Sequence, residues 1–317
     1  MKKVVKKIIG PKKYESLRNK KNSFLKNRNV KGSYTFISNK KNYEKLCIIL
    51  AGYKPFLFQT IFDRIRKNVP NDVEVCIVSS GIYSEELKNI AQKFQWSYLY
   101  TKRNCVTLAQ NLAIKEFSKA KYIYKLDEDI FVTKGYFETL MKTYVECNEN
   151  GEYKVGFVAP TIPINGFGHL SVLKRFDLVE YYTNKFEKPL YAAGVDRMIE
   201  SNPEVAKFFW GEGNFLPTID VMNKTVQKDK FNYVACPIKF SIGAILFNRD
   251  TWEDMGYFKV KNGPCMGVDE EQFCTYCMSQ SKAIIVSQNT IVGHLSFGKQ
   301  NKTMENYFYS HKDYFDI

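Results

Sequence analysis

Three consecutive acids, Asp127, Glu128 and Asp129, stand inside the apolar stretch KYIYKLDEDIFV of residues 121–132. One buried, unpaired carboxylate costs several kcal/mol, and adjacent ones repel each other. The residues before them read as a buried strand, so something positive should meet the acids at its end. Side chains alternate along a strand, which puts Lys125, Asp127 and Asp129 on one face and Glu128 on the other. Two carboxylates at i and i+2 can hold one hard divalent ion, which keeps waters and takes phosphate oxygens as further ligands. A solvated acidic turn is the plainer alternative, and it would be the default for an isolated D-x-D. The place of the motif in the chain favours the ion.

That place is the end of the fourth strand in an alternating series. KLCIILAG (45–52) is a short apolar run closed by glycine and followed by the helical pattern of FLFQTIFDRIRKN. VEVCIVSSG (73–81) reads as a second strand, and SEELKNIAQKF as a helix with Ser84 at its N-cap, although Leu87 stands where a capping box carries Glu or Gln. WSYLYTK and VTLAQNLAIKEFSK supply a third strand and helix, and KYIYKL is the fourth strand. This alternation predicts an α/β fold, a mostly parallel sheet flanked by helices. In such sheets ligands bind at the carboxyl ends of the strands. Further on, VGFVAPTIP reads as a strand and IKFSIGAILFNRDTWEDMG as a strand leading into a helix. GPCMGVDEEQFCTYCMSQS reads as a glycine turn opening a helix, and AIIVSQNTIVGHLSFG as a strand with a loop. Residues 164–235 give no clear periodicity.

Composition bounds the rest. The 317 residues are 44% hydrophobic and 25% charged, ordinary for a globular protein. No apolar run approaches the ~18 residues of a membrane span, and the lysine-bearing N-terminus has no apolar h-region, so a cytoplasmic location is expected. The net charge of +14 is confined: residues 1–45 hold 15 basic and 2 acidic side chains, leaving the other 272 residues at +1. The division this predicts is a basic helical or disordered arm, 1–44, and one catalytic domain, 45–317. Within residues 2–31, Val4, Val5, Ile8 and Ile9 fall at helical spacing beside lysines, Gly10-Pro11 breaks that helix, and Pro11 suits the first turn of a second. Such an arm fits an anionic membrane surface, on the inner face of the plasma membrane, or stays a solvated tail. The 8 cysteines lie scattered, several in apolar runs. They read as packed thiols, as does the C-x-x-C of Cys274 and Cys277, which lacks a second ligand pair.

With strand-end LDED, the NCVTLAQNLAI helix before it, and GVDEEQF followed by GHLSFG, the chain resembles the family 2 glycosyltransferases of the GT-A fold over residues 45–298. The resemblance implies a Rossmann-like domain with a nucleotide-sugar-binding half (45–160) and an acceptor-binding half (161–317). It implies a nucleotide-sugar donor, a UDP-sugar as the first expectation, with Mn²⁺ or Mg²⁺ on its diphosphate and inversion at the anomeric carbon. The acceptor expected is a surface polysaccharide or lipid-linked oligosaccharide. Asp127 and Asp129 then hold the ion, and His294 matches a third ligand of some relatives. Ala51, Gly52 and Tyr53 match the strand-one loop that lines the nucleotide. Ser79 and Ser80 stand where the family carries a base-contacting acid, and AGYKP replaces Pro-x-Tyr-Asn. The GVDEEQF register makes Asp269 and Glu270 the acidic pair and Glu270 the base that deprotonates the acceptor hydroxyl, while Asp269 with Gln272 suggests a capping box. Tyr, Phe and the tryptophans Trp210 and Trp252 of residues 164–258 could stack on sugar rings or fill the core. A nucleotidyltransferase would share sheet and acids but would want a glycine- and Arg/Lys-rich loop after strand one, which LAGYKPFLF lacks. A nucleic-acid-binding protein would rest on the arm alone.

Overall fold

The computed structural model describes residues 11–263 and 265–315. Val4, Val5, Ile8 and Ile9 lie outside the described residues. Helix α1 (Pro11–Asn29) leads to β1 (Thr35–Ile37) and β2 (Lys45–Leu50). After them come α2 (Phe58–Asn68), β3 (Val73–Ser80), α3 (Glu85–Lys93), β4 (Ser97–Thr101), α4 (Val106–Glu116) and β5 (Tyr122–Asp127). The short β6 (Ile130–Phe131) precedes α5 (Tyr136–Glu149) and β7 (Val155–Thr161). Five short helices fill the stretch that showed no periodicity: α6 (Gly168–Arg175), α7 (Val179–Lys185), α8 (Met198–Ser201), α9 (Pro203–Phe209) and α10 (Ile219–Val226). The chain continues with β8 (Tyr233–Ala235), β9 (Ala244–Asn248), α11 (Arg249–Asp254), α12 (Val268–Ser279), β10 (Ala283–Ile291), β11 (Gly293–His294) and α13 (Asn301–Ser310).

Nine strands form one sheet in the order β1-β4-β3-β2-β5-β9-β7-β10-β8. Strands β2, β3, β4, β5, β7 and β10 run one way, and β1, β8 and β9 run against them. The α/β architecture with a mostly parallel sheet is thus what the chain forms. Parallel strands are covered on both faces, and the sequence answers with unbroken burial: every residue of Val73–Ser80 and of Val155–Thr161 is buried. Each fully buried Leu, Ile or Phe contributes about 1.5–3 kcal/mol. Ser84 caps α3 by accepting the Leu87 N–H at 3.2 Å.

Two features move the expected layout. Strand β9 inserts antiparallel between β5 and β7, pairing Leu126 with Ala244 and so lining up Gly243 beside Asp127. The segment assigned to the arm is not all separate from the body: β1 pairs with β4, and the Asn29 side chain bonds Gly256 O at 3.1 Å and Val260 N at 3.1 Å. The body gathers these residues because their polar groups find partners there; the Glu74 carboxylate accepts the N–H groups of Lys41 and Tyr43 at 3.0 and 2.9 Å.

A second, two-stranded ribbon matters most for the site. β6 and β11 pair antiparallel, with His294 opposite Ile130 and the Leu295 N–H on Asp129 O at 3.0 Å. Trp210 locks this ribbon from behind, its ring 4.9 Å from Phe131 and its indole N–H 3.2 Å from the His294 carbonyl. Trp210 and Trp252 are both buried, so they fill the core and do not offer stacking faces.

Candidate active site

The carboxyl ends of β2, β3 and β5 are level, since Leu50 pairs with both Val78 and Asp127. At this edge the three acids part company. Asp127 ends β5 and pairs with Lys125 at 2.8 Å, and the buried Lys125 ammonium also donates to Ile242 O at 2.8 Å. Burial, with the charges of Asp129 and Asp269, raises the Asp127 carboxyl above the usual range despite Lys125. Its side chain still keeps 38% of its area exposed, so it lines an open cleft. Asp129 shares Asp127's cleft through the turn that follows β5, not through the pleat of a continuing strand.

Glu128 points to the loop after β2, where its carboxylate accepts the N–H of Gly52 at 2.8 Å and that of Tyr53 at 3.1 Å. Gly52 sits at φ 151°, a region side-chain-bearing residues rarely adopt, and an added Cβ would come within 3.2 Å of Ser79 Oγ. Ser79 donates to Ala51 O at 2.7 Å, and the Tyr53 hydroxyl donates to Ser80 O at 2.7 Å. The Ser80 hydroxyl accepts the Cys105 N–H at 2.8 Å, so it ties loops together. Tyr53, Ile82 and Tyr83 are the exposed apolar side chains at this edge.

Asp129 is buried, with the Lys54 ammonium on one of its oxygens and His294 Nε2 at 3.5 Å. Burial alone would raise its pKa, but His294 and Lys54 outweigh that and hold the carboxyl well below the carboxylate range. His294 Nδ1 lies 3.1 Å from Ile164 O, a carbonyl that can only accept, so Nδ1 carries the proton. Nε2 then faces the carboxylate. The Lys54 ammonium sits on the same Asp129 oxygen that His294 Nε2 approaches.

The second acidic pair opens α12. Gly267, in the left-handed region at φ 73°, is the N-cap, and no side chain caps the helix. The expected capping box is therefore absent: Asp269 accepts from Gln110 Nε2 at 2.8 Å, and Gln272 bonds the backbone of Lys259 and Tyr257 at 2.6 and 2.9 Å. Asp269 is buried, whereas Glu270 is 21% exposed and pairs with Lys239 at 2.5 Å. The charge of Asp269 acts on Asp127 and that of Glu270 on Lys125, so both acidic pairs share one neighbourhood.

The structure thus brings together Asp127, Asp129, His294, Asp269 and Glu270, with Ala51, Gly52, Tyr53 and Ser80 along one wall. Among the described residues no three His, Cys, Asp or Glu side chains gather as a ready metal cage. Mn²⁺ and Mg²⁺ use one or two carboxylates and complete their shell with water and phosphate. Asp127 and Asp129 offer the carboxylate oxygens that such an ion takes. Sequence reasoning missed Lys54, Lys239, Gln110 and Glu200. Glu200, on α8, is raised by burial, accepts the Gly194 N–H at 3.1 Å, and feels the charges of Glu270, Lys239 and His294. These four come from distant segments, and no local pattern marks them. All eight cysteines are free and buried, and burial pushes the Cys274 and Cys277 thiols up to about 11 and about 12, as packed thiols require.

No family model matches the chain, and no curated protein matches it in sequence. Among solved structures, the chain is similar to GalNAc-T7, described with UDP, GalNAc and Mn²⁺, at 11% identity and a TM-score of 0.48, over 82% of this chain and 45% of that one. It is also similar to the mannosyltransferase PcManGT of Pyrobaculum calidifontis, described with GDP-Man and Mn²⁺, at 14% identity and a TM-score of 0.44, over 85% of this chain and 62% of that one. The chain therefore spans less than two thirds of either. Among the described residues no helix is long and apolar enough to cross a membrane.

Proposed function

We propose that this protein is a metal-dependent, inverting glycosyltransferase of family 2 and bacterial type, which moves a hexosyl group from a nucleotide sugar, a UDP-sugar first, to a polysaccharide or lipid-linked oligosaccharide. One observation carries the reading: His294 Nε2 lies 3.5 Å from the buried Asp129 carboxylate, at the sheet edge that also holds Asp127 and the α12 acids. Asp127, Asp129 and His294 would hold the divalent ion. When bound, it would offset the charge that builds on the leaving diphosphate. Lys54 and Lys125 supply positive charge on the same side.

Glu270 is the base. Its carboxylate takes the proton of the acceptor hydroxyl as that oxygen bonds the anomeric carbon and the bond from this carbon to the diphosphate oxygen breaks. Lys239 must release Glu270 for that transfer, and Asp269, fixed by Gln110, sets the helix start that aims it. Residues 45–160 form the donor half and 161–317 the acceptor half of this reading. The basic segment 2–31 would hold the protein to an anionic inner membrane face near a lipid-linked acceptor, each basic residue contributing about 1 kcal/mol. Flotation with phosphatidylglycerol vesicles tests that part, and equal flotation of a chain beginning at Tyr43 refutes it. For the donor, thermal stabilisation and metal-dependent hydrolysis are measured with UDP-, GDP- and dTDP-sugars plus Mn²⁺, since bound ligand raises the melting point. Stabilisation by one nucleotide class, abolished by EDTA, supports the reading; none with any of them refutes it.

A further inference from the structure

The middle acid of the strand-end triplet is spent in an unusual way. Glu128 is 9% exposed, and its two oxygens accept the Gly52 N–H at 2.8 Å and the Tyr53 N–H at 3.1 Å. Hydrogen bonds to a carboxylate are roughly twice as strong as neutral ones, so a single side chain fixes two successive peptide planes. Two further points complete the fastening. The Tyr53 hydroxyl reaches Ser80 O at 2.7 Å, and Lys54 sits on Asp129. Lys54 also lies 3.5 Å from Asn301 Oδ1, at the start of α13. The loop therefore adopts a glycine-only conformation at residue 52 while delivering, in sequence, an exposed ring (Tyr53) and an ammonium (Lys54) to the cleft. Nothing in the loop itself would hold that shape, because Gly52 is the residue least able to resist rotation.

We propose that Glu128 is a positioning residue for the nucleoside diphosphate: it holds residues 52–54 so that Tyr53 presents its ring to the ligand and Lys54 presents its ammonium to the diphosphate, exchanging Asp129 for phosphate when the ligand arrives. This rests on the donor reading above. Asp127 and Asp129 face the reacting end; Glu128, one residue between them, sets the seat on which the rest of the ligand lies. Binding strength that is the same in ground and transition states changes KM and leaves kcat, so the signature of Glu128 is a KM effect.

The test uses the full chain and Glu128→Gln, which keeps the size and one acceptor oxygen but loses the charge. Two measurements are made: amide hydrogen exchange at Gly52, Tyr53 and Lys54, and calorimetric titration of UDP and of GDP in the presence of Mn²⁺. The expected result is faster exchange at those amides, about tenfold weaker nucleotide binding and a matching rise in donor KM, with kcat within about twofold. Gly52→Ala perturbs the same loop while leaving the carboxylate, and should weaken nucleotide binding in the same direction even if Glu128→Gln folds poorly. Unchanged exchange in Glu128→Gln, or faster exchange with unchanged nucleotide affinity, overturns the proposal. Wild-type protein that binds neither nucleotide overturns the donor reading first, and the role of Glu128 with it.

Discussion

The two acidic clusters, Asp127–Asp129 at the end of β5 and Asp269–Glu270 at the start of α12, divide their labour the same way. In each, one carboxylate is held by neutral donors: Glu128 by the N–H groups of Gly52 and Tyr53, Asp269 by the Gln110 amide. The others carry ammonium groups: Lys125 on Asp127, Lys54 on Asp129, Lys239 on Glu270. A neutral N–H bond fixes geometry and cannot be traded for a ligand. A lysine on a flexible stem can swing from carboxylate to phosphate, leaving the acid free for a cation or a proton. Acids held by neutral donors are set apart from acids held by lysines, and the lysines offset the mutual repulsion of several carboxylates at one sheet edge.

If that division is right, substitutions should sort by class. The largest loss is expected at the acids proposed to hold the ion. Asp127→Asn or Asp129→Asn should abolish transfer with the melting curve still cooperative, and added Mn²⁺ should restore neither. Next, Glu270→Gln should cut turnover by about 10²–10⁴ while nucleotide binding survives, as steady-state kinetics beside a UDP titration will show. A larger loss in Asp269→Asn than in Glu270→Gln would swap the two roles. Asp269→Asn should instead act mainly on stability, costing about 1–3 kcal/mol in urea unfolding because the buried Gln110 amide loses its charged partner.

The smallest effect lies outside both clusters. His169 is buried with Nδ1 on Asn165 O at 2.9 Å, and burial lowers its pKa to about 4. It is neutral in the fold, whereas the unfolded chain takes up a proton near pH 6.5. Its contribution to stability is therefore complete above about pH 6.5 and is lost as pH falls toward 4. His169→Gln should flatten the melting temperature over that window, and an unchanged slope would contradict the assignment.

Much of the sheet was readable because its strands are short apolar runs closed by turn residues. KLCIIL, VEVCIVSS, SYLYT and KYIYKL fall where the structure has β2, β3, β4 and β5. What lay hidden depends on contacts between distant segments. Strand β9 was legible as a strand, but its antiparallel insertion between β5 and β7 is decided by packing. Helices α6 to α10 are only four to eight residues long, too short for a helical period to emerge. The acids of the candidate site were visible because D-x-D and D-E-E are local patterns. Their lysines were not, since Lys54 and Lys239 lie 75 and 31 residues from their partners and resemble any other surface lysine. Gln110 sits in a helix buried almost all round, where a polar residue signals a partner without saying which.

If Asp129 holds a divalent cation together with a nucleotide, its loss must be visible in metal binding. Mn²⁺ is titrated calorimetrically, in the presence of saturating UDP, into the wild-type protein and into Asp129→Asn. A single-site isotherm is expected for the wild type and none for the variant. Identical isotherms for the two proteins, or full transfer activity in EDTA, would contradict it.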